Sequence, residues 1–172
     1  KLLFCNNPDY GADEVSDTCL SVVLSFSRGI FQYNGIAKKM PLDWQENTIN
    51  KIKRNSNTTV GIIGVGRIGS LLIKKLNYIG FNTIFYDPFK EEGYDKVIKS
   101  RRVENIDEIA RFSDIISVNC SLDSSNKGLI NKKFISKMKR GSSLINSARG
   151  GLFENIDDFY LPIKSKKIDS IF

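Results

Sequence analysis

The sequence contains no histidine. That removes the side chain most often used as a general base near neutral pH, and the commonest metal ligand. Any chemistry needing an imidazole must draw it from outside these 172 residues. Cysteine is scarce too. Cys5, Cys19 and Cys120 are odd in number and form no CxxC pair, so neither a disulfide framework nor a zinc site is expected, and no metal is assigned. They read as small buried hydrophobes in a reducing, cytoplasmic protein. No apolar run approaches the roughly 18 residues of a membrane helix. The opening Lys1-Leu2-Leu3-Phe4-Cys5-Asn6 is too short an apolar run for a signal peptide and has no small-residue cleavage site. The first residue is Lys rather than Met, so the chain is expected to begin inside a longer protein. No internal repeat or low-complexity segment is found.

What is present is ordinary for a globular domain: 41% hydrophobic and 26% charged residues. The net charge of +7 comes largely from scattered lysine. Such a field can attract nucleic acid or anionic metabolites, or simply solvate helix faces. Basic residues do not interleave with aromatics as base-stacking surfaces require, so nucleic acid is not the expected partner.

Val15, Cys19, Val22, Val23, Phe26 and Ile30 form one apolar stripe at helical spacing, with Asp13 and Glu14 at its start. Gly29 and Gly35 are expected to loosen its far end. Residues 36 to 58 read as a connecting arm and loop. From Thr59 onward short strands alternate with helices. Strands are expected over 59–64, 82–86, 115–119, 142–146 and 168–172, with a brief one near Arg102-Val103. Helices are expected over 68–79, 106–112, 132–138 and 156–164, the last with Pro162 awkwardly inside it. The segment 89–101 shows only a weak pattern. This alternation predicts an α/β fold: a doubly wound parallel sheet of Rossmann type, with helices on both faces and an N-terminal helical arm. The expected division is an arm over 1–58 and a dinucleotide-binding core over 59–172.

The segment Gly64-Val65-Gly66-Arg67-Ile68-Gly69 is G-x-G-x-x-G, following a strand and opening a helix. Gly64 permits the tight turn, Gly66 lets the backbone approach a pyrophosphate, and Gly69 lets helix and strand pack closely. The helix N-terminus offers unpaired N–H groups to phosphates. Asp87, 18 residues after Gly69, ends the second strand, where an acid accepts hydrogen bonds from the adenosine ribose. A carboxylate there repels a 2′-phosphate, so NAD is favoured over NADP, although Lys90 can soften the repulsion. Arg67 reads either as a charge-assisted pyrophosphate contact or as a solvated surface arginine.

These residues, together with Tyr86-Asp87-Pro88, Ser113 to Leu122, Gly128-Leu129-Ile130-Asn131 and Asn146-Ser147-Ala148-Arg149-Gly150-Gly151, resemble the D-isomer-specific 2-hydroxyacid dehydrogenases. The opening from Cys5 to Val15 resembles the branch related to the C-terminal-binding-protein corepressors. The resemblance implies that Arg149 is catalytic, holding the carboxylate and carbonyl of a 2-oxo acid. It implies that Ile68, Pro88, Asn119, Cys120, Ser121, Ser147 and Ala148 join the glycines, Arg67 and Asp87 around NAD. It implies a homodimer formed through the arm helix, from about Glu14 to Ile30. Two features depart from the family: Asn119, where histidine or another residue stands, and Ser121, where proline is usual. The family's acidic residue and histidine, an acid–base pair, are expected beyond Phe172, as is its substrate domain. The full-length protein is therefore expected to be an NAD-dependent oxidoreductase acting on a 2-oxo or D-2-hydroxy acid. The 172 residues alone are expected to bind NAD weakly without turnover. The alternative is an NAD-sensing, non-enzymatic corepressor-like module.

Overall fold

The computed structural model describes residues 2–5, 7, 9–39 and 52–172. Six strands, β1 (Thr59–Ile63), β2 (Asn82–Tyr86), β3 (Arg101–Arg102), β4 (Ile115–Val118), β5 (Ser142–Asn146) and β6 (Ile168–Ile171), form one sheet in the order β3-β2-β1-β4-β5-β6. All neighbours are parallel. The central strands are buried along nearly their whole length. Both faces of a parallel sheet are covered by helices, so such strands are apolar runs rather than alternating ones. Within each strand the side chains still divide by face. Ile63, Ile116, Val118 and Leu144 pack with Ile109, Phe134 and Phe159 on one side. Val60, Ile62, Ile115 and Ile145 pack with Cys19, Val23, Leu72 and Leu76 on the other.

The helices are α1 (Ala12–Ser27), α2 (Ile30–Ala37), α3 (Arg67–Tyr78), α4 (Tyr94–Ile98), α5 (Ile106–Phe112), α6 (Lys132–Lys137) and α7 (Tyr160–Lys164). α1 lies against α3 and buries Cys19, Val22 and Val23 in the second of these clusters. Lys75 of α3 reinforces that contact, reaching Asp17 at 2.6 Å and Ser16 Oγ at 2.7 Å.

The order places β1 beside both β2 and β4. The chain winds outward from β1 to β3, then crosses back to start β4 on the other side. The loops after β1 and β4 diverge there, which opens a crevice at the carboxyl ends of the strands.

The sequence reading and the structure differ in detail. The single stripe expected to run to Ile30 is split at Gly29 (φ 64°), which caps a separate α2. Gly35 lies inside α2 and breaks nothing. The rest of the expected arm, residues 40–51, lies outside the described residues. The weakly patterned 89–101 segment contains α4, too short for periodicity to reveal. The brief strand is Arg101–Arg102, one residue earlier than expected. Pro162 is the third residue of α7, in the first turn, where its missing N–H costs no helical bond. The residues before it, Ile156–Phe159, form a 3₁₀ turn.

Candidate functional site

The rim of the sheet at the carboxyl ends of β1, β2, β4 and β5 carries every residue picked out from the sequence. The glycine loop comes first. Gly64 has φ 88°, and a Cβ there would lie 2.7 Å from the Cα, Cβ and N of Cys120. The turn therefore needs glycine twice over, for its backbone angle and for its closeness to the loop after β4. A Cβ on Gly69 would lie 2.1 Å from the Gly64 carbonyl oxygen. That contact brings the first turn of α3 onto the loop. Gly66 is different: it is exposed, and a Cβ there would meet nothing within 4 Å. It is the N-cap of α3, and no side chain caps that helix end. The N-terminal amides and the positive end of the dipole thus face open space at the crevice. Ile68 is half-buried in the same turn.

Asp87, at the end of β2, is buried. Its Oδ2 accepts from the Val65 N–H at 2.8 Å and its Oδ1 from the Phe89 N–H at 3.0 Å. The carboxylate thus braces the glycine loop and shapes its own turn. Each oxygen retains a lone pair for a further donor. Pro88 is exposed beside it. Arg102 of β3 fastens this turn from outside, donating to the carbonyls of Lys90 at 3.0 Å and Glu91 at 3.3 Å. Arg67 pairs with Asp9: its Nε lies 3.3 Å from Asp9 Oδ1, both side chains being largely exposed.

Beyond β4, the Asn119 N–H donates to the Ile63 carbonyl at 2.8 Å, holding the two diverging loops together at their root. Cys120 is half-buried against Gly64. Burial pushes its thiol pKa up, with the charges of Asp87 and Asp123 adding to the effect. Ser121 is exposed. Farther on, Gly128 and Ile130 donate backbone hydrogen bonds to Gly151 and Leu152, at 3.0 and 2.9 Å. The loops after β4 and β5 are joined into one wall by these bonds.

In that wall, Asn146 Oδ1 accepts from the Ala148 N–H at 3.1 Å, while its Nδ2 donates to the Arg149 carbonyl at 3.0 Å. The single Ser147 O–H is within reach of two acceptors, Asn119 Oδ1 at 2.8 Å and the Val118 carbonyl at 3.1 Å. Ala148 is half-buried and Arg149 exposed. Among the described residues the Arg149 guanidinium pairs with no carboxylate; its one contact is with the carbonyl of Ala148, at 3.0 Å. A planar, charged fork is left free at the rim.

The structure thus gathers Gly64, Gly66, Gly69, Asp87, Asn119, Cys120, Ser147, Ala148 and Arg149 along one crevice. Arg67 is turned onto Asp9. Sequence reasoning passed over Asn146, Arg102, Asp9 and Gly61. A Cβ on Gly61 would meet Ser113 Oγ at 2.0 Å, so α5 packs directly on the β1 backbone. A glycine inside a β-branched strand was the available signal.

The residues fit a dinucleotide. Gly66 leaves an unfilled cradle, the helix end above it is uncapped, and a buried carboxylate stands at the end of the adjacent strand. Among the described residues no group of three or more His, Cys, Asp or Glu is placed to hold a metal ion. No helix among them is long and apolar enough to cross a membrane.

Comparison with known proteins agrees with this geometry. C-terminal-binding protein 1 of Caenorhabditis elegans is 32% identical over 158 residues, 89% of this chain and 22% of that protein. A formate dehydrogenase of Chaetomium thermophilum is 46% identical over 98 residues, 54% of this chain and 26% of that one. Among solved structures, a D-lactate dehydrogenase from Treponema pallidum superposes with a TM-score of 0.84 at 26% identity, covering 95% of this chain and 48% of that one. The holo form of Rhodotorula graminis D-mandelate dehydrogenase also gives 0.84 at 26%, over 99% and 51%. The chain therefore spans about a quarter of these curated relatives and about half of these solved chains. The family profile described as "D-isomer specific 2-hydroxyacid dehydrogenase, NAD binding domain" matches residues 20–171, which include all six strands of the sheet. With strand order, glycine loop and family profile in agreement, the chain belongs to the D-isomer-specific 2-hydroxyacid dehydrogenases, as the NAD-binding domain of that family.

Proposed function

We propose that this domain binds NAD in the crevice, and that the full-length protein uses it to interconvert a 2-oxo acid and a D-2-hydroxy acid. When bound, NAD supplies the hydride donor or acceptor. The α3 amides hold its pyrophosphate, Asp87 takes the adenosine ribose and disfavours a 2′-phosphate, and the loops at Asn119–Ser121 and Ser147–Ala148 flank the nicotinamide side. Arg149 grips the substrate carboxylate with its fork and stabilises charge growing on the carbonyl oxygen. The protonating group comes from elsewhere in the protein, since this sequence has no histidine. The observation that carries the reading is the uncommitted Arg149 guanidinium on the rim that bears the uncapped α3 amides. Subunits pair through the arm helices, where Ile30 and Phe31 are about half exposed. A reducing, cytoplasmic setting suits the odd cysteine count.

The test is Arg149→Ala in the full-length protein, assayed with NADH against a panel of 2-oxo acids and with NAD⁺ against formate. We expect kcat/KM for the preferred acid to fall about 10²–10³-fold, as on loss of a key charge-stabilising donor. NADH affinity, read from nicotinamide fluorescence, should stay put. Unchanged turnover would remove Arg149 from the mechanism. The similarity to C-terminal-binding protein 1 over most of the chain supports a second reading, an NAD-sensing interaction module. NADH binding by the full-length wild type, without turnover of any acid, would select it.

A further inference from the structure

Asn119 was expected to touch the cofactor, and its bonding argues for a different role. Its Oδ1 accepts two hydrogen bonds, from Ser147 Oγ at 2.8 Å and from the Cys19 thiol at 3.6 Å. Its Nδ2 donates to the Ser117 carbonyl at 3.3 Å and to Ser117 Oγ at 3.1 Å. A carboxamide has two acceptor sites on oxygen and two N–H donors. All four are therefore taken by protein. The amide cannot be turned over without loss, because the Ser117 carbonyl only accepts and so fixes the nitrogen on that side.

The partners lie on three elements: Cys19, fully buried, on α1; Ser117, fully buried, in β4; and Ser147, at the end of β5 two residues before Arg149. Ser147 opens the turn that Asn146 closes on Ala148 and Arg149. We infer that Asn119 is a positioning residue that acts through Ser147 on the Arg149 loop, and that it anchors this loop to the buried face of α1. The inference rests on the reading of Arg149 as the substrate anchor. It assigns Asn119 to the acid's side of the reaction and withdraws its side chain from the cofactor. Small displacements of a binding fork are costly, so a slack anchor shows first as lost substrate affinity.

The test uses the full-length protein with Asn119→Leu, Ser147→Ala and the double variant. Either single change should raise KM for the 2-oxo acid about tenfold, since a misplacement near 1 Å is enough for such losses. NADH affinity by fluorescence titration should fall by much less than KM rises. The double variant should be no worse than the worse single, because both remove one shared bond. Hydrogen exchange in a peptide spanning residues 146–151 should speed up in all three. Weakened NADH binding with unchanged KM would return Asn119 to the cofactor and overturn the inference. So would additive losses, or unchanged exchange in the loop. If Asn119→Leu does not fold, Asn119→Ala, which adds no bulk, takes its place, because Ser147→Ala also removes the contact with the Val118 carbonyl. Arg149→Ala separates the two readings. If it leaves turnover intact, the substrate reading fails by itself, and the exchange measurement still decides whether Asn119 holds the loop.

Discussion

Two loops of this domain face one another across the crevice, and they are shaped by opposite means. The glycine loop between β1 and α3 is defined by missing atoms. Gly64 and Gly69 leave out Cβ atoms that would lie within 2.7 Å of Cys120 and 2.1 Å of the Gly64 carbonyl. The loop after β5 is defined by side chains that bond to main chain: Asn146 clasps Ala148 and Arg149, and Ser147 ties the loop to β4. A loop made by omission presents bare amides and suits a phosphate-bearing cofactor. A loop made by carboxamides and hydroxyls holds up one long cation in a set place and suits a small acid. The contrast also predicts how each fails: the first by steric collision, the second by slackening.

The sharpest break is within the glycine loop. Gly64→Ala forces a side chain onto the Cys120 backbone at a positive φ, and should cost roughly 2–5 kcal/mol of stability, as overpacking and backbone strain combine. Gly66→Ala meets nothing within 4 Å, so its melting temperature should match wild type. It nevertheless puts a methyl group where we propose that the pyrophosphate binds, and NADH affinity should fall about tenfold or more, a loss of about 1.4 kcal/mol or more. Thermal melting and fluorescence titration of the two variants, side by side, check this. Equal melting of Gly64→Ala and wild type would show that omission is not what sets this loop.

A smaller effect is expected at Asp87, which belongs to both styles: a side chain that braces the glycine loop through the Val65 amide. Were it only a ribose ligand, Asp87→Ala would relax the preference for NAD over NADP and do little else. The brace predicts more: affinity for both cofactors should fall, by roughly 1–3 kcal/mol for the unpaired buried amide and the loosened loop. Asp87→Asn keeps one acceptor and should lie between. Titration with NADH and NADPH distinguishes these outcomes, since a gain in NADPH affinity with unchanged NADH binding would deny the brace.

The same contrast explains what could be read from sequence. Omission leaves a mark, because glycines at fixed spacing between a strand and a helix have few other causes, and from them the sheet, the crevice and Asp87 followed. The strands were legible as apolar runs; even Pro162 only looked out of place. α4 has five residues, fewer than two helical turns, so no period could show it. Asn146 sat in plain view within a recognised motif, but whether an asparagine clasps its own turn depends on backbone angles that composition does not carry. The Asn119–Cys19 bond spans 100 positions and joins elements whose packing only the fold defines. For Arg67 the sequence allows phosphate contact and surface charge alike, and its partner Asp9 lies in the turn before α1, which nothing local connects to the glycine loop.

That ion pair offers the smallest and most delicate probe. Asp9 and Arg67 are both well exposed, so their attraction is worth at most about 1 kcal/mol and is weakened by salt. While it lasts, it commits the cation of the glycine loop to Asp9. Asp9→Asn should free that guanidinium to lean toward a pyrophosphate, tightening NADH binding about twofold to fivefold at low ionic strength, with the gain fading as salt screens it. Arg67→Ala in the Asp9→Asn background should erase the gain. If Asp9→Asn changes nothing at low salt while Arg67→Ala alone also changes nothing, Arg67 is the solvated surface arginine of the alternative reading, and the glycine loop binds phosphate through its main chain without help from a side chain.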